Sequence, residues 1–275
     1  MEVVGKDAVS DDCAIIPMGE GYMVASTDMV HESTDFPEGM TDWEKGWMSV
    51  AVTLSDIAAM GAMPGGILLS VGLDKPSRLR SILEGAKACC DTYDARFAGG
   101  DLDFHRELTI VSSGWGFCDA PVRRSGAAVG DDIGIVGIPG RAQAALDGHQ
   151  EFRDFLFAPR PRVMEGRALA LAGATSMMDV SDGLLMSLSD MLEVNQCGYD
   201  ISSSRIPLLD GISPEASRRY SLNGGGDFGL LFTYPSGMIT LTIPDLYIIG
   251  NVTEEKVVKI DGQVASINGY QHHWD

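Results

Sequence analysis

The chain carries an aspartate inside an apolar stretch that ought to be buried. Asp56 interrupts the segment SVAVTLSDIAAMGAM. Apolar residues around it recur at helical spacing, which predicts a helix over residues 43–60 that begins after a cap at Thr41 or Asp42. A carboxylate removed from water must be protonated, paired or bound to a metal, because burying an isolated charge is costly. The fold therefore has to bring a compensating group to Asp56.

Other aspartates stand at the ends of apolar runs. They are Asp12, Asp28, Asp101, Asp179, Asp182 and Asp227. Since the chain has 20 Lys and Arg against 39 Asp and Glu, the acids cannot all be paired with basic side chains. Taken singly, Asp182 fits a helix cap, Asp101 a turn and Asp12 a solvated position. Taken together, the set favours a magnesium site of carboxylates and substrate phosphates.

The charge balance narrows the classes of partner. The formal net charge of −19 argues against nucleic acid and anionic membranes, because both attract positive surfaces. An acidic protein that handles phosphates needs another source of positive charge, and bound divalent cations supply it.

The absence of an apolar run of signal-peptide or membrane-spanning length predicts a cytoplasmic protein. Five cysteines without paired spacing predict reduced packing residues rather than a zinc site.

Familiar catalytic motifs are missing from the sequence. There is no G-x-x-x-x-G-K-[ST] phosphate loop, no Gly-x-Ser-x-Gly and no histidine pair at zincin spacing. Asp227-Phe228-Gly229 spells a protein-kinase metal motif, but no catalytic-loop signature precedes it. We interpret that match as coincidence.

Short strand-like runs alternate with helical stretches, which predicts an α/β or α+β fold. The predicted strands are CAIIP, YMVAST, GILLSVGL, ELTIVSSGWGF, DIGIVGI and a run that ends at Asp179, followed by short strands from Leu230 to Ile267. Besides the helix at 43–60, helices are predicted over SRLRSILEGAKACCDTYD and over residues 141–158, 162–173 and 183–193. The polar, glycine-rich stretch DAPVRRSGAAVGDD predicts a boundary between domains at 1–120 and 121–275.

Nine stretches in order resemble the thiamine-monophosphate kinase family. They are SDDCAII, STDMVHESTDF, LSDIAAMGAMP, FAGGD, RRSGAAVGDD, APRPRVMEGRAL, DVSDGL, GGGDFGLLFT and GYQHHWD. Each is weak alone, but together they cover almost the whole chain. The resemblance extends to a superfamily that includes aminoimidazole ribonucleotide synthetase, selenophosphate synthetase and a hydrogenase maturation factor.

The resemblance implies a two-domain PurM-like fold. It further implies a homodimer whose N-terminal domains join in a β-barrel, and a nucleotide cleft between the domains. The implied reaction is direct in-line transfer of the γ-phosphoryl group of ATP to thiamine monophosphate, with Mg²⁺. The acceptor is itself a phosphate with a second pKa of about 6, so its attacking oxygen is largely ionised and needs no general base. Metal ions and one arginine would gather the two polyanions in line.

The resemblance also assigns site residues. As magnesium ligands it implies Asp12, Thr27, Asp28, Asp56, Asp101 and Asp179, with Asp182 a further candidate and Ser26 contributing through its backbone. For ATP it implies Gly100, Asp101, Arg124 and Ser181. Of these, the catalytic group is Asp28, Asp56, Asp101, Arg124 and Asp182. On the acceptor side it implies position 35, here Asp35, and an aromatic residue, here Tyr270, against the thiamine rings.

The sequence departs from the family mainly at the acceptor positions. Asp35 stands where the family has histidine, and His31 lies four residues earlier. Gly226 and Gly229 replace two acids of the family pattern Gly-Gly-Glu-Asp-Tyr-Glu. Two alternatives therefore stay open beside thiamine-monophosphate phosphorylation. One is an enzyme of the same superfamily acting on another small phosphorylated acceptor, and the other is a catalytically silent protein that binds nucleotide or thiamine phosphates.

Overall fold

The first half of the chain forms a five-stranded sheet with two helices packed on one face. The computed structural model describes residues 10–267, together with Val3 and Gly5. The elements of this half are β1 (Ala14–Met18), β2 (Gly21–His31), α1 (Asp42–Ala59), β3 (Met63–Leu73), α2 (Leu79–Thr92), β4 (Arg96–Phe104) and β5 (Thr109–Cys118). The sheet order is β1-β2-β5-β3-β4. Only β3 and β4 pair in parallel, and α2 provides the crossover that such a pair requires.

The second half forms a seven-stranded sheet with the order β12-β11-β8-β10-β6-β9-β7. Its elements are β6 (Asp132–Val136), α3 (Arg141–Leu146), α4 (Arg153–Phe157), α5 (Val163–Ala172), β7 (Ser176–Val180), α6 (Leu184–Val194), β8 (Gly198–Ile201), α7 (Pro214–Asn223), β9 (Gly229–Tyr234), β10 (Leu246–Thr253), β11 (Val258–Ile260) and β12 (Gln263–Val264). The mixed α/β architecture predicted from the sequence is therefore confirmed.

Helix α1 is the central element between the two halves. Thr41 and Glu44 form a reciprocal capping box at its start, which satisfies backbone donors that a helix terminus otherwise leaves without partners. The helix packs on β2, β3, β5 and α2 of the first half, and on α5 and β7 of the second. Leu54 and Ile57 are fully buried within it. Because α1 contacts both halves, residues on it can meet residues from either sheet.

Two glycines let α1 and α2 approach closely. A Cβ atom added at Gly46 would lie 1.9 Å from the carbonyl oxygen of Ile82, and one at Gly85 would lie 1.9 Å from that of Trp43. Each distance is far inside van der Waals contact. The helices therefore pack backbone against backbone at this crossing, which fixes α1 on the first sheet.

The predicted elements are found with small shifts, and three elements were not predicted. The glycine-rich FAGGD belongs to strand β4, and β8 and α7 were also missed. The helix predicted over 141–158 is broken into α3, a 3-10 turn and α4, since Gly148 adopts a positive φ of 98°. Among the described residues, no helix has the length and apolar character needed to cross a membrane.

We expect Gly85→Ala to lower the free energy of unfolding by about 2 kcal/mol, because the added methyl group meets the Trp43 carbonyl. Helix propensity alone would act in the opposite direction, by up to about 1 kcal/mol. Chemical denaturation would measure the difference. Glu84→Ala, at an exposed position of the same helix, is the matched control and should change stability by less than about 0.5 kcal/mol. Unchanged or increased stability in Gly85→Ala would contradict the close packing.

Candidate active site

Strand β2 and helix α1 bring two acids and their hydroxyl partners together. Side chains alternate along a strand, so Ser26 and Asp28 point toward α1. The Ser26 hydroxyl donates to Asp56 Oδ2 at 2.5 Å. The Thr53 hydroxyl, one turn before Asp56 on α1, donates to Asp28 Oδ2 at 2.7 Å. Asp56 thus faces the first sheet rather than solvent.

The second half adds Asp179, and the segment before β1 adds Asp12. Ser55 on α1 donates its hydroxyl hydrogen to Asp179 Oδ2 at 2.8 Å, a buried contact between the two halves. Carboxylate oxygens of Asp12, Asp56 and Asp179 all lie within 4.8 Å of one another. The predicted convergence of acids from distant parts of the sequence is therefore present at these three positions, which we call the carboxylate cluster.

Burial and mutual repulsion raise the pKa values of the carboxylate cluster. Burial raises the pKa of Asp12 to about 6, although the adjacent Arg124 acts to lower it. Burial, with added repulsion from Asp12, raises the pKa of Asp179 to about 8. Burial also raises the pKa of Asp56 well above its usual value, and the negative charges of Asp179 and Asp28 contribute. The site thus favours a proton or a cation at the cluster.

Asp12 joins the cluster to Arg124. Its Oδ1 accepts from Arg124 Nε at 3.0 Å and from Nη2 at 2.5 Å. The Asp12 side chain is fully buried, and its Oδ2 has no hydrogen-bond partner among the described residues. A buried oxygen without a donor is costly. Carboxylate and hydroxyl oxygens are the ligands that Mg²⁺ prefers, so this donor set and its spare oxygen fit such an ion.

Ser181 and Asp182 lie on the turn between β7 and α6, directly after the cluster residue Asp179. Gly183 closes that turn with a positive φ of 106°. Ser181 and Asp182 also line a groove of about 390 Å³. The same groove is lined by Asp35 and Gly226, so these predicted nucleotide and acceptor positions border one space.

Three of the predicted residues lie elsewhere in this chain. The Thr27 side chain lies on the opposite face of β2 from Asp28 and contacts the Ser113 hydroxyl at 2.9 Å. Gly100 and Asp101 are on β4, three strands away from β2, which corresponds to roughly 14 Å. The register places Asp101 on the same outer face as Thr27. Tyr270 lies outside the described residues, so its predicted contact stays a prediction.

The chain is similar to several known proteins along nearly its whole length. Residues 10–118 match the family model described as AIR synthase related protein, N-terminal domain. A thiamine-monophosphate kinase of Methanospirillum hungatei is 52% identical to this chain, over 99% of the chain and 96% of the relative.

The chain belongs to the thiamine-monophosphate kinase family.

A second thiamine-monophosphate kinase, from Halobacterium salinarum, is 34% identical over 99% of the chain and 98% of the relative. Among solved structures, AaThiL complexed with AMPPCP and TMP superposes with a TM-score of 0.91 at 25% identity. That match covers 99% of this chain and 94% of the solved one. The PurM-like architecture predicted from the resemblance is therefore confirmed, while the five-stranded sheet of the single chain is open, with β1 and β4 at its edges.

The acceptor positions that depart from the thiamine-monophosphate kinase pattern have clear local roles. Asp35 Oδ2 accepts from the backbone N–H of His31 and from the Thr34 hydroxyl, both at 2.7 Å. The ring of His31 lies 3.0 Å from the Thr109 hydroxyl, so it is held against β5 rather than beside Asp35. Gly226 has a positive φ of 88°, and its N–H donates to the Ser181 carbonyl.

Asp227, whose motif match we interpreted as coincidence, supports α3. Its carboxylate accepts from the N–H of Gly140 at 2.5 Å and from that of Ala142 at 2.8 Å. Burial raises its pKa to about 6, against the lowering effect of these two bonds.

Position 229 lies in β9, where a Cβ would be 2.6 Å from the Val136 carbonyl oxygen. A side chain at Gly229 therefore requires the strand to shift.

Sequence reasoning missed several residues that hold the site together. Thr53 and Ser55 were visible as hydroxyl residues flanking Asp56 in an apolar helix, and that pattern could have found them. Asp11 accepts from the backbone N–H of Arg124 at 2.9 Å. Asn195 contacts the same segment through its side chain, and no sequence signal distinguishes it from an ordinary residue after a helix.

We expect the stability of the chelator-treated protein to fall as pH rises from the unfolded Asp value of 3.8 through 6 and 8. Over this range the folded state binds protons at Asp12 and Asp179 that the unfolded chain has released, so raising the pH favours unfolding. Thermal unfolding in EDTA across that range would measure it, and Mg²⁺ should restore stability at the upper end.

Asp179→Asn should reduce this pH dependence because it removes the group whose pKa is raised further, to about 8 rather than about 6. Asp154→Asn is the matched control, since Asp154 is an exposed acid outside the cluster. A pH profile that is identical in the wild-type protein and Asp179→Asn would contradict the assignment.

Proposed function

We propose that this protein transfers the γ-phosphoryl group of ATP to thiamine monophosphate, forming thiamine diphosphate and ADP in a magnesium-dependent reaction. The observation that carries the proposal is the buried convergence of Asp12, Asp56 and Asp179 beside Arg124. A groove is lined by Ser181, two residues after Asp179. Full-length relatives named thiamine-monophosphate kinase support it. So does the likeness to AaThiL complexed with AMPPCP and TMP.

Different residues of the chain would bind the metal and contact the nucleotide. Asp12, Asp56 and Asp179 would hold Mg²⁺, with Asp28 and Ser26 beside them. When bound, the ion would offset the negative charge of the phosphates and of the transferring phosphoryl group. Ser181 and Asp182 would add contacts to metal or nucleotide. Thr27, Gly100 and Asp101 stay predicted contacts, although in this chain they lie on the far face of the sheet or three strands from β2.

Arg124 supplies the fixed positive charge of the site. Its guanidinium is half-buried and already oriented by Asp12, so little ordering is needed before it contacts a phosphate oxygen. The nucleophile needs no general base, because a phosphate with a second pKa of about 6 is largely ionised at neutral pH. The chain would therefore need only to position the two substrates and to stabilise the negative charge of the transferring phosphoryl group.

A second candidate function is phosphorylation of a different small phosphorylated acceptor. Asp35 and Gly226, the two altered acceptor positions, both line the groove beside Ser181 and Asp182. Their substitution changes the wall against which the acceptor would bind and leaves the carboxylate cluster intact. A silent protein that binds nucleotide or thiamine phosphates is the remaining alternative.

We expect purified protein with ATP, Mg²⁺ and thiamine monophosphate to release ADP and thiamine diphosphate in equal amounts. Chromatography of both products measures the reaction against an ATP-only control. Asp56→Asn should reduce turnover at least about 100-fold because it removes a cluster oxygen. The exposed-site variant Asp154→Asn should retain full turnover.

The outcome with other acceptors separates the alternatives. Turnover with another phosphorylated compound but not with thiamine monophosphate would favour the second candidate. Binding of AMPPCP and Mg²⁺ without turnover of any acceptor would favour the silent protein. Wild-type turnover in Asp56→Asn would count against the site assignment itself.

We also propose that the chain divides at residue 120 into domains of 1–120 and 121–275 and forms a homodimer through its first sheet. The last strand of that sheet ends at Cys118 and the next sheet begins at Asp132. On the sheet face away from α1, Ile16, Met29 and Leu68 are exposed, together with Phe117. An apolar sheet face with open edges favours pairing with a second copy, and closure into a shared barrel would cover it.

The dimer proposal predicts a solution mass of twice the 29.4 kDa chain, measured by light scattering after size exclusion. Leu68→Glu places a charge in the middle of the proposed interface and should shift the protein toward a folded monomer. The matched control is Leu171→Glu, an equally drastic change at an exposed position on α5. A monomeric wild-type protein would overturn the proposal.

A further inference from the structure

The segment that carries Arg124 lies outside the helices and strands. It connects β5, which ends at Cys118, to β6, which begins at Asp132. The Met177 N–H of β7 donates to the carbonyl of Arg123 at 2.9 Å, but the N–H and the carbonyl of Arg124 bond to side chains instead. Its guanidinium nonetheless rests on Asp12 with well-aligned bonds, so the main chain beneath it must be held by other means.

One restraint on this main chain is Asp11. Its Oδ1 accepts from the Arg124 N–H at 2.9 Å, and its Oδ2 accepts from Arg123 Nη1 at 3.1 Å. The Asp11 side chain is only 5% exposed. Hydrogen bonds to a carboxylate are stronger than those between neutral groups. Asp11 therefore anchors the N-terminal side of the Arg124 peptide.

The other restraint is Asn195, the residue that follows α6. Its Nδ2 donates to the Arg124 carbonyl at 2.9 Å and to the Met191 carbonyl at 2.8 Å. Its Oδ1 accepts from the N–H groups of Gly126 and Ala127 at 2.9 and 3.2 Å. The two backbone donors require the amide oxygen on their side, which fixes the orientation of the side chain.

Asn195 thus uses all four hydrogen-bonding positions of its amide and is 5% exposed. Since it also bonds to Met191 in the last turn of α6, it ties the loop of Arg124 to that helix. The same helix begins at Leu184, directly after the turn that carries Ser181 and Asp182. One short helix therefore connects the two parts of the proposed nucleotide site.

We propose that Asp11 and Asn195 are positioning residues for Arg124. They hold its peptide group from both sides so that the guanidinium lies at a fixed place beside the carboxylate cluster. Neither residue is itself placed against the phosphates. The inference rests on the proposed role of Arg124 in binding nucleotide phosphate, and it adds two residues that act only through that arginine.

The test is a double-mutant cycle on binding of AMPPCP with Mg²⁺, measured by calorimetry, and on turnover. Asn195→Ala and Asp11→Ala should each weaken AMPPCP binding about tenfold, since small displacements of a positioned group cost that much or more. In an Arg124→Ala background, each should change binding by less than about twofold, because the group they position is gone.

Conservative variants separate positioning from a general loss of structure. Asp11→Asn keeps an oxygen that can accept from the Arg124 N–H and should recover most of the affinity that Asp11→Ala loses. Asn195→Asp keeps the acceptor for Gly126 and Ala127 but cannot donate to the Arg124 carbonyl, so it should stay weak. Asn251→Ala is the matched control, since the Asn251 amide also donates a hydrogen bond, here to Asp132 Oδ1, but lies exposed on β10.

Several results would overturn the proposal. Losses that multiply with that of Arg124→Ala would mean that Asp11 and Asn195 act elsewhere, and unchanged affinity would mean that they do not act at all. Circular dichroism checks folding, and Asp11→Ala decides the matter if Asn195→Ala does not fold. AMPPCP binding is read without an acceptor, so failure to phosphorylate thiamine monophosphate would leave this inference standing. Full affinity in Arg124→Ala would remove its basis.

Discussion

The main physical constraint on this structure is the repulsion among buried carboxylates near the C-terminal half of α1. Asp12, Asp56 and Asp179 bring like charges within 4.8 Å of one another, and the only side chain seen to form an ion pair with one of them in residues 10–267 is Arg124. Such a cluster destabilises the folded chain unless protons or a cation neutralise it. Hydroxyl groups of Ser26 and Ser55 orient the acids, but they cannot neutralise them. Part of the stability that packing provides is therefore offset by the cost of holding these three acids together.

The location of the cluster follows from the position of α1 between the two sheets. Two consecutive side chains near its end divide their contacts between the halves, because Ser55 reaches Asp179 while Asp56 faces Ser26 on β2. The capping box at Thr41 and the backbone packing on α2 fix the other end of the helix. Helix α1 therefore fixes the positions of the acids of both halves relative to one another.

Much of this fold could be predicted from the sequence, and the failures have physical causes. Helix α1, with its clear periodicity, was found to within one residue at each end. Strand β2 was found but extends four residues beyond the predicted YMVAST, and β4 was hidden by Gly99 and Gly100, which read as a turn. Asp56 was singled out because a charge in an apolar helix demands a partner.

The identity of that partner could not be predicted, because which acids meet depends on sheet order and register. The same dependence separates Asp101 from Asp28 within one chain, although both stand in similar sequence contexts. Asn195 could not be found because its role arises only from where α6 ends.

The direct backbone contact between α1 and α5 restricts how the two halves can move. A Cβ added at Gly166 would lie 2.1 Å from the carbonyl oxygen of Ala58, so the two helices touch through their backbones two residues from Asp56. If α1 and α5 met through side chains, those side chains could repack when the two halves separate. A direct backbone contact does not allow such repacking. The spacing between Asp56 and Asp179 is therefore set by a glycine that bears no reactive atom. Separation of the two halves at this contact would therefore also separate Asp56 from Asp179.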